Sequence, residues 1–177
     1  LKRESKDFDL SIETAQAVVK SADDITHQTY RVVAHNSILE IANDLSRYER
    51  EGAREYASGE LDKTGAILEE TKGLMGEQKY RAAVARAGDT RAQLEVMVQE
   101  LERVAIKEIE TARDVLVSAR ESRAEEYESD AYTQALVAQS IAEDALMGGG
   151  LKSAIEGALQ SQQIASDARS NSLRQWS

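Results

Sequence analysis

Residues 80–127 read YRAAVARAGDTRAQLEVMVQELERVAIKEIETARDVLVSARESRAEEY, and the spacing of their apolar side chains decides the fold class. Tyr80, Ala83, Val84, Ala87, Leu94, Met97, Val98, Leu101, Val104, Ala105, Ile109, Ala112, Leu116, Ala119 and Tyr127 follow one another mostly in steps of three and four. Such steps stack side chains along one face of an α-helix, and a run sustained this far is the heptad-like pattern of helix-to-helix packing. Arg91, Glu95, Glu102, Arg103, Lys107, Glu110, Arg113, Arg120 and Arg123 fall mostly off the seam and form its solvated face.

Composition extends this reading to the whole chain. The 177 residues contain no proline and no cysteine, are 31% charged and only 5% aromatic. Proline is common in turns and breaks helix interiors, so its absence over this length leaves few places for loops. Good helix formers dominate, and roughly four-fifths or more of the residues are expected to be helical, against a typical third. A net charge of −10 and a pI near 4.8 exclude nucleic acid as a partner, because a phosphate backbone needs a basic stripe. No run of about 18 apolar residues is present, so no transmembrane segment is expected. Without cysteine there is no disulfide framework, zinc finger or thiolate nucleophile.

Four stop signals divide the chain. Ser58 follows Tyr56 and can cap a helix; Gly76 stands in a C′ role; Ser129 and Asp130 follow Tyr127 as a second cap; Gly148-Gly149-Gly150 is the most flexible point. The helices expected between them run over about 9–56, 59–75, 78–127, 130–147 and 151–173. A shift of about 71 residues brings the pattern onto itself: Tyr56 falls on Tyr127, Ser58 on Ser129, Ala53 on Ala124, Ala34 on Ala105, Ile38 on Ile109 and Leu45 on Leu116. Ala83, Val84 and Ala87 likewise fall on Ala154, Ile155 and Ala158, while the breaks at Gly76 and Gly148 match with one extra residue. The chain is therefore expected to hold a first repeat over 1–76, a second over 77–148, and a closing helix with a polar tail over 149–177. A long helix measures about 70 Å and a short one about 25 Å, so a short helix covers only part of its neighbour. The expected architecture is all-α: an elongated array of staggered three-helix bundles, with long continuous helices alternating with short antiparallel ones.

No catalytic, cofactor-binding or metal-binding residue is assigned, and the chain is read as non-enzymatic. His27 and His35 lie eight apart near Asp23 and Asp24, without the i,i+3 or i,i+4 spacing of ligands on one helix, and read as helix-surface histidines. Gly148-Gly149-Gly150 with Lys152 lacks the spacing of a phosphate loop and reads as an interhelical turn. The carboxylate pairs Asp23-Asp24, Glu69-Glu70 and Glu125-Glu126 point in different directions on a helix and read as solvated. Tyr48, Tyr56, Tyr80, Tyr127 and Tyr132 cluster near the breaks, where each ring can close the end of an Ala-lined bundle while its hydroxyl reaches water. Trp176 lies in a polar stretch and is expected to be exposed.

Ala53-Arg54-Glu55-Tyr56-Ala57, then a short helix, then Gly76-Glu77-Gln78-Lys79-Tyr80-Arg81-Ala82-Ala83 form a recognisable phrase. Gly52-Ala53, Tyr56-Ala57, Gly76, Tyr80, Ala83 and Ala87 resemble an uncharacterised family of Ala-rich helical repeats in bacterial envelope proteins and lipoproteins. A second copy carries Ala124, Tyr127, Ala154 and Ala158, with Leu151 in place of the tyrosine, so the resemblance spans about residues 50–168. The resemblance implies a bacterial cell envelope location, periplasmic or lipid-anchored, often beside OmpA-like peptidoglycan-binding domains. The chain begins at Leu1 without methionine, so an N-terminal segment is expected to have been removed or omitted. The expected function is a non-catalytic helical spacer or interaction module acting as a scaffold for protein partners. Two alternatives stand beside it: a self-associating coiled-coil assembly protein, and the helical ligand-binding part of a membrane sensor. No cofactor is expected.

Overall fold

The computed structural model describes the backbone of residues 2–176 and the side chains of residues 11–175. Among the described residues there are seven α-helices and no strand: α1 (Lys2–Arg50), α2 (Ala53–Tyr56), α3 (Ser58–Gly76), α4 (Tyr80–Glu121), α5 (Ala124–Tyr127), α6 (Ser129–Met147) and α7 (Leu151–Trp176). The protein is all-α, as its composition and periodicity require.

Both long helices stop earlier than expected, at Arg50 and Glu121 and not at 56 and 127. The chain passes through the left-handed region at Gly52 (φ +93°) and at Arg123 (φ +62°), which breaks the helical ladder. The two amides donate to carbonyls three residues back, Glu49 and Arg120, and the Tyr56 and Tyr127 amides then close one new turn on the carbonyls of Gly52 and Arg123. Glycine suits position 52 twice over, because a Cβ there would also lie 2.9 Å from Cδ2 of Tyr56.

The short helices end by a second shared device. Gln78 (φ +60°) and Gly149 (φ +76°) are both left-handed. Gln78 and Lys79 donate to Met75 and Leu74, and Gly149 and Gly150 to Leu146 and Ala145, the paired bonds of a Schellman cap. The C′ residue of α3 is thus Gln78, whereas Gly76 is the last helical residue. Aligning Gln78 with Gly149 also removes the extra residue expected between the breaks, since the shift of about 71 residues continues through them. The serine cap expected at Ser129 does not form: Ser129 is the first residue of α6, the cap position is Glu128, and no side chain closes it.

The chain clusters into two compact units. The first takes the residues up to Asp44 together with Lys63–Ala92. Ala34, Ile38 and Ile41 of α1, Leu68 of α3, and Ala83 and Ala87 of α4 are its buried apolar residues. Thr71 of α3 and Thr90 of α4 are fully buried, with their hydroxyls 3.2 Å apart. Thr90 fills the gap in the α4 seam between Ala87 and Leu94, a position that hydropathy alone passes over.

The second unit takes Leu45–Asp62 and the residues from Gln93 onward. Leu94, Met97 and Leu101 of α4 pack on Ala53, Ala57, Leu61 and Leu151. Further along α4, Ala105, Ile109 and Ala112 meet Ala142 of α6 and Ala154, Ile155 and Ala158 of α7. Leu116 and Ala119 then meet Tyr132, Ala135, Ala165 and Ala168. So many facing alanines let the helices approach closely, and small or amide side chains bond across the contact to backbone. Ser161 Oγ donates to the Ala135 carbonyl at 2.8 Å, Gln162 Nε2 to that of Glu108 at 3.0 Å, and Ser172 Oγ to that of Ser122. The polar tail expected after 173 is helical through Trp176, whose side chain lies outside the described residues.

Candidate functional site

The residues that could have carried chemistry are placed apart. His27 lays its ring against Tyr80, centroids 4.7 Å apart, and His35 is exposed; among the described residues no three of His, Asp and Glu form a metal-holding group. The amides of Gly148, Gly149 and Gly150 all donate to carbonyls of α6, so they do not converge on an anion. Glu69 pairs with Lys72, Glu70 with Arg86, and Glu126 with Arg123 at 3.9 Å. Tyr56 packs half-buried among Ala53-side and Ala105-side clusters, and burial, then the neighbouring Glu55, push its hydroxyl pKa up. Tyr127, its counterpart, is exposed, so only one of the two closes a bundle end.

What does stand out is the outer face of α6. Its inward side buries Tyr132, Ala135, Ala138, Gln139 and Ala142. Its outward side carries larger apolar residues, Leu136, Val137 and Ile141, each 45–56% exposed. A bundle helix is expected to turn polar residues outward, and apolar residues on both sides are the pattern of a helix meant to be covered. Beside it, Gly157 of α7 comes so close that an added Cβ would lie 3.2 Å from Cβ of Ala142. Between the two helices runs a groove of about 300 Å³, lined by Thr133, Gln134, Val137 and Ile141 on one side and Gly157, Gln160 and Ile164 on the other. None of its lining residues is charged.

The repeat gives this groove an internal control. One shift of about 71 residues earlier, Ile141, Gly157 and Gln160 correspond to Glu70, Arg86 and Asp89. In the first unit Arg86 lies across the α3/α4 surface, bonded through Nη2 and Nε to Glu70 and through Nη1 to Asp89 at 3.0 Å. The first unit carries an ionic cover here, so the uncharged residues Ile141 and Gln160 are not a packing requirement, whereas Gly157 is set by its approach to Ala142. No family model, curated protein or solved structure matches the chain. The groove therefore rests on its own geometry. Sequence periodicity missed it because Val137 and Ile141 merge into an Ala-rich apolar helix; the loss of charge between the two copies was the signal that could have found it.

On the other side of α6, against α4, lies a polar cluster. Gln139 donates through Nε2 to the Ile109 carbonyl at 3.2 Å and to Glu143 Oε1 at 2.8 Å, and Arg113 pairs with the same carboxylate at 2.9 Å. The Gln139 amide first, then Arg113, hold the Glu143 pKa below the usual carboxylate value. Gln139 Oε1 is buried without a hydrogen-bond partner.

Proposed function

We propose that the protein is a non-catalytic helical-repeat scaffold that holds a protein partner in the α6/α7 groove. The observation that carries this reading is the replacement of an ionic surface by an uncharged, glycine-opened one at the same position of a repeated bundle. Such a groove takes an apolar helical face, with side chains three and four residues apart seated beside Val137 and Ile141 and the Gln134 and Gln160 amides at the rim. A photo-crosslinking residue at Val137, introduced in the cells that make the protein, is expected to capture a discrete protein adduct. The double variant Gln134→Lys, Ile141→Glu, which copies Lys63 and Glu70, should fold normally and lose it. An adduct that persists in that variant refutes the groove.

The location that accompanies this reading is the bacterial cell envelope, periplasmic or lipid-anchored. Its support is the resemblance carried by Gly52-Ala53, Tyr56-Ala57, Gly76, Tyr80 and Ala83. Among the described residues no helix is long and apolar enough to cross a membrane. Fractionation of the producing cells tests it: recovery entirely with cytosolic markers would exclude the envelope.

A further inference from the structure

Every residue of α1 from 11 to 29 is exposed, although the stretch is helical throughout. Six large apolar side chains stand out on it and just beyond: Ile12, Val18, Val19, Ile25, Val32 and Val33, each 42–67% exposed. At about 100° per residue they fall, with the small residues Ala15 and Ala22, within an arc of about 160° centred on Ala22. Glu13, Lys20, Asp24 and Arg31 lie on the opposite side of the helix. Thr26 and Thr29 also lie in the arc, and their hydroxyls donate to the carbonyls of Ala22 and Ile25 at 2.8 Å, which leaves only methyl groups facing outward. The middle of the stripe can thus be buried without stranding the Thr26 or Thr29 hydroxyl.

The repeat again separates packing from something added. At the positions of Ala15, Val18, Ala22, Thr29 and Val32, the next copy has Arg86, Asp89, Gln93, Glu100 and Arg103. Two ion pairs cover that face of α4, Arg86 with Asp89 and Arg103 with Glu100. At those five positions the bundle does not ask for an apolar face and α1 has one, whereas Ile12, Val19 and Thr26 fall on Ala83, Thr90 and Met97, which are buried in α4.

We propose that this stripe of α1 joins copies of the chain to one another as a homo-oligomeric helical bundle. The occupant that fits is a second copy of the same stretch, for three reasons. Its face is uncharged and apolar, so its partner must be as well, and the stretch is complementary to itself. From 12 to 33 there are three acids against two bases, whereas the whole chain carries −10, so acidic molecules can meet here without stacking like charges. Over about 32 Å of helix, a stripe facing two neighbours covers on the order of the 800 Å² per partner that a stable interface needs. The width of the arc sets the stoichiometry: a two-stranded seam uses a narrower stripe, so at least three copies meet. This surface is distinct from the α6/α7 groove, and either can fail without the other.

Sedimentation of the full chain from micromolar to millimolar concentration tests the assembly. The expected result is a mass that rises with concentration to about threefold or more. In the double variant Val18→Lys, Ile25→Lys, both at exposed positions, the mass should stay at one chain while the melting of the second unit is unchanged. A wild-type chain that remains monomeric, or assembly that stops at two copies, overturns the proposal. So does association that survives Val18→Lys, Ile25→Lys but is lost in Gln134→Lys, Ile141→Glu, because it would then belong to the groove.

Discussion

Gly52 and Arg123 adopt the same left-handed backbone at equivalent breaks, one with a residue built for it and one without. An L side chain in that region costs about 1–2 kcal/mol, so Arg123→Gly should stabilise the second unit by about 1 kcal/mol in urea unfolding. Gly52→Ala should destabilise by about 1–2 kcal/mol, since the new Cβ also crowds Tyr56. Gln139 offers a second comparison, because its counterpart Leu68 is buried and apolar. Removing an unpartnered buried carbonyl oxygen recovers its desolvation cost, so Gln139→Leu is expected to be neutral or to stabilise by about 1 kcal/mol. Glu143 ties this cluster to pH. Its folded pKa is lowered from a model-compound value of 4.5, so its contribution is fully present above that value and disappears as pH falls through the lower folded one. The acid limb of a stability profile should accordingly flatten in Gln139→Leu, whose amide is the largest cause of the shift; an unchanged limb would refute the link. Arg123, like Gln78, was not legible as special from sequence, because both are ordinary helix formers and only the backbone reveals their sign of φ.

The helices themselves were legible. Steps of three and four marked the α4 seam, and Leu94, Met97, Leu101, Ala105, Ile109, Ala112, Leu116 and Ala119 are all buried on it. A proline at Ala105 or Ile109 removes an interior hydrogen bond and drives its ring into the preceding turn, at about 3 kcal/mol or more. Thermal melting of Ile109→Pro should show that loss, and a wild-type melting temperature would mean that α4 is not continuous there. The ends were less legible. Tyr127 was placed on the seam by spacing, but Arg123 turns the chain before it and leaves it exposed. Around Ala142 and Gly157 the contact of α6 with α7 is made by side chains no larger than a methyl group, so Ala158→Leu, in the same cluster as Ala142 and Ala154, is expected to overpack it and cost about 1–3 kcal/mol.

Across the whole molecule, two features follow from composition and one does not. The absence of proline and the weight of Ala, Glu, Arg and Leu fixed an all-α chain, because only helices satisfy the backbone with so few breaks. The excess of acids gives the chain its net charge of −10. Local stability, in contrast, is unevenly spread. Amides of residues 11–29, on a helix exposed all round, should exchange fastest in dilute solution, whereas those of α6 and α7 should be protected; uniform protection would mean that α1 is already covered. Sequence by itself determined the all-α class and where the main helices run, since these depend on local propensity and on a helical period. Tertiary structure decided which apolar residues are core and which are surface. Val137 and Ile141 of α6, and Val18 and Ile25 of α1, have the hydropathy of core residues, but a helix can bury only the face its neighbours reach: those of α6 stand on its other side, and α1 is exposed all round over residues 11–29.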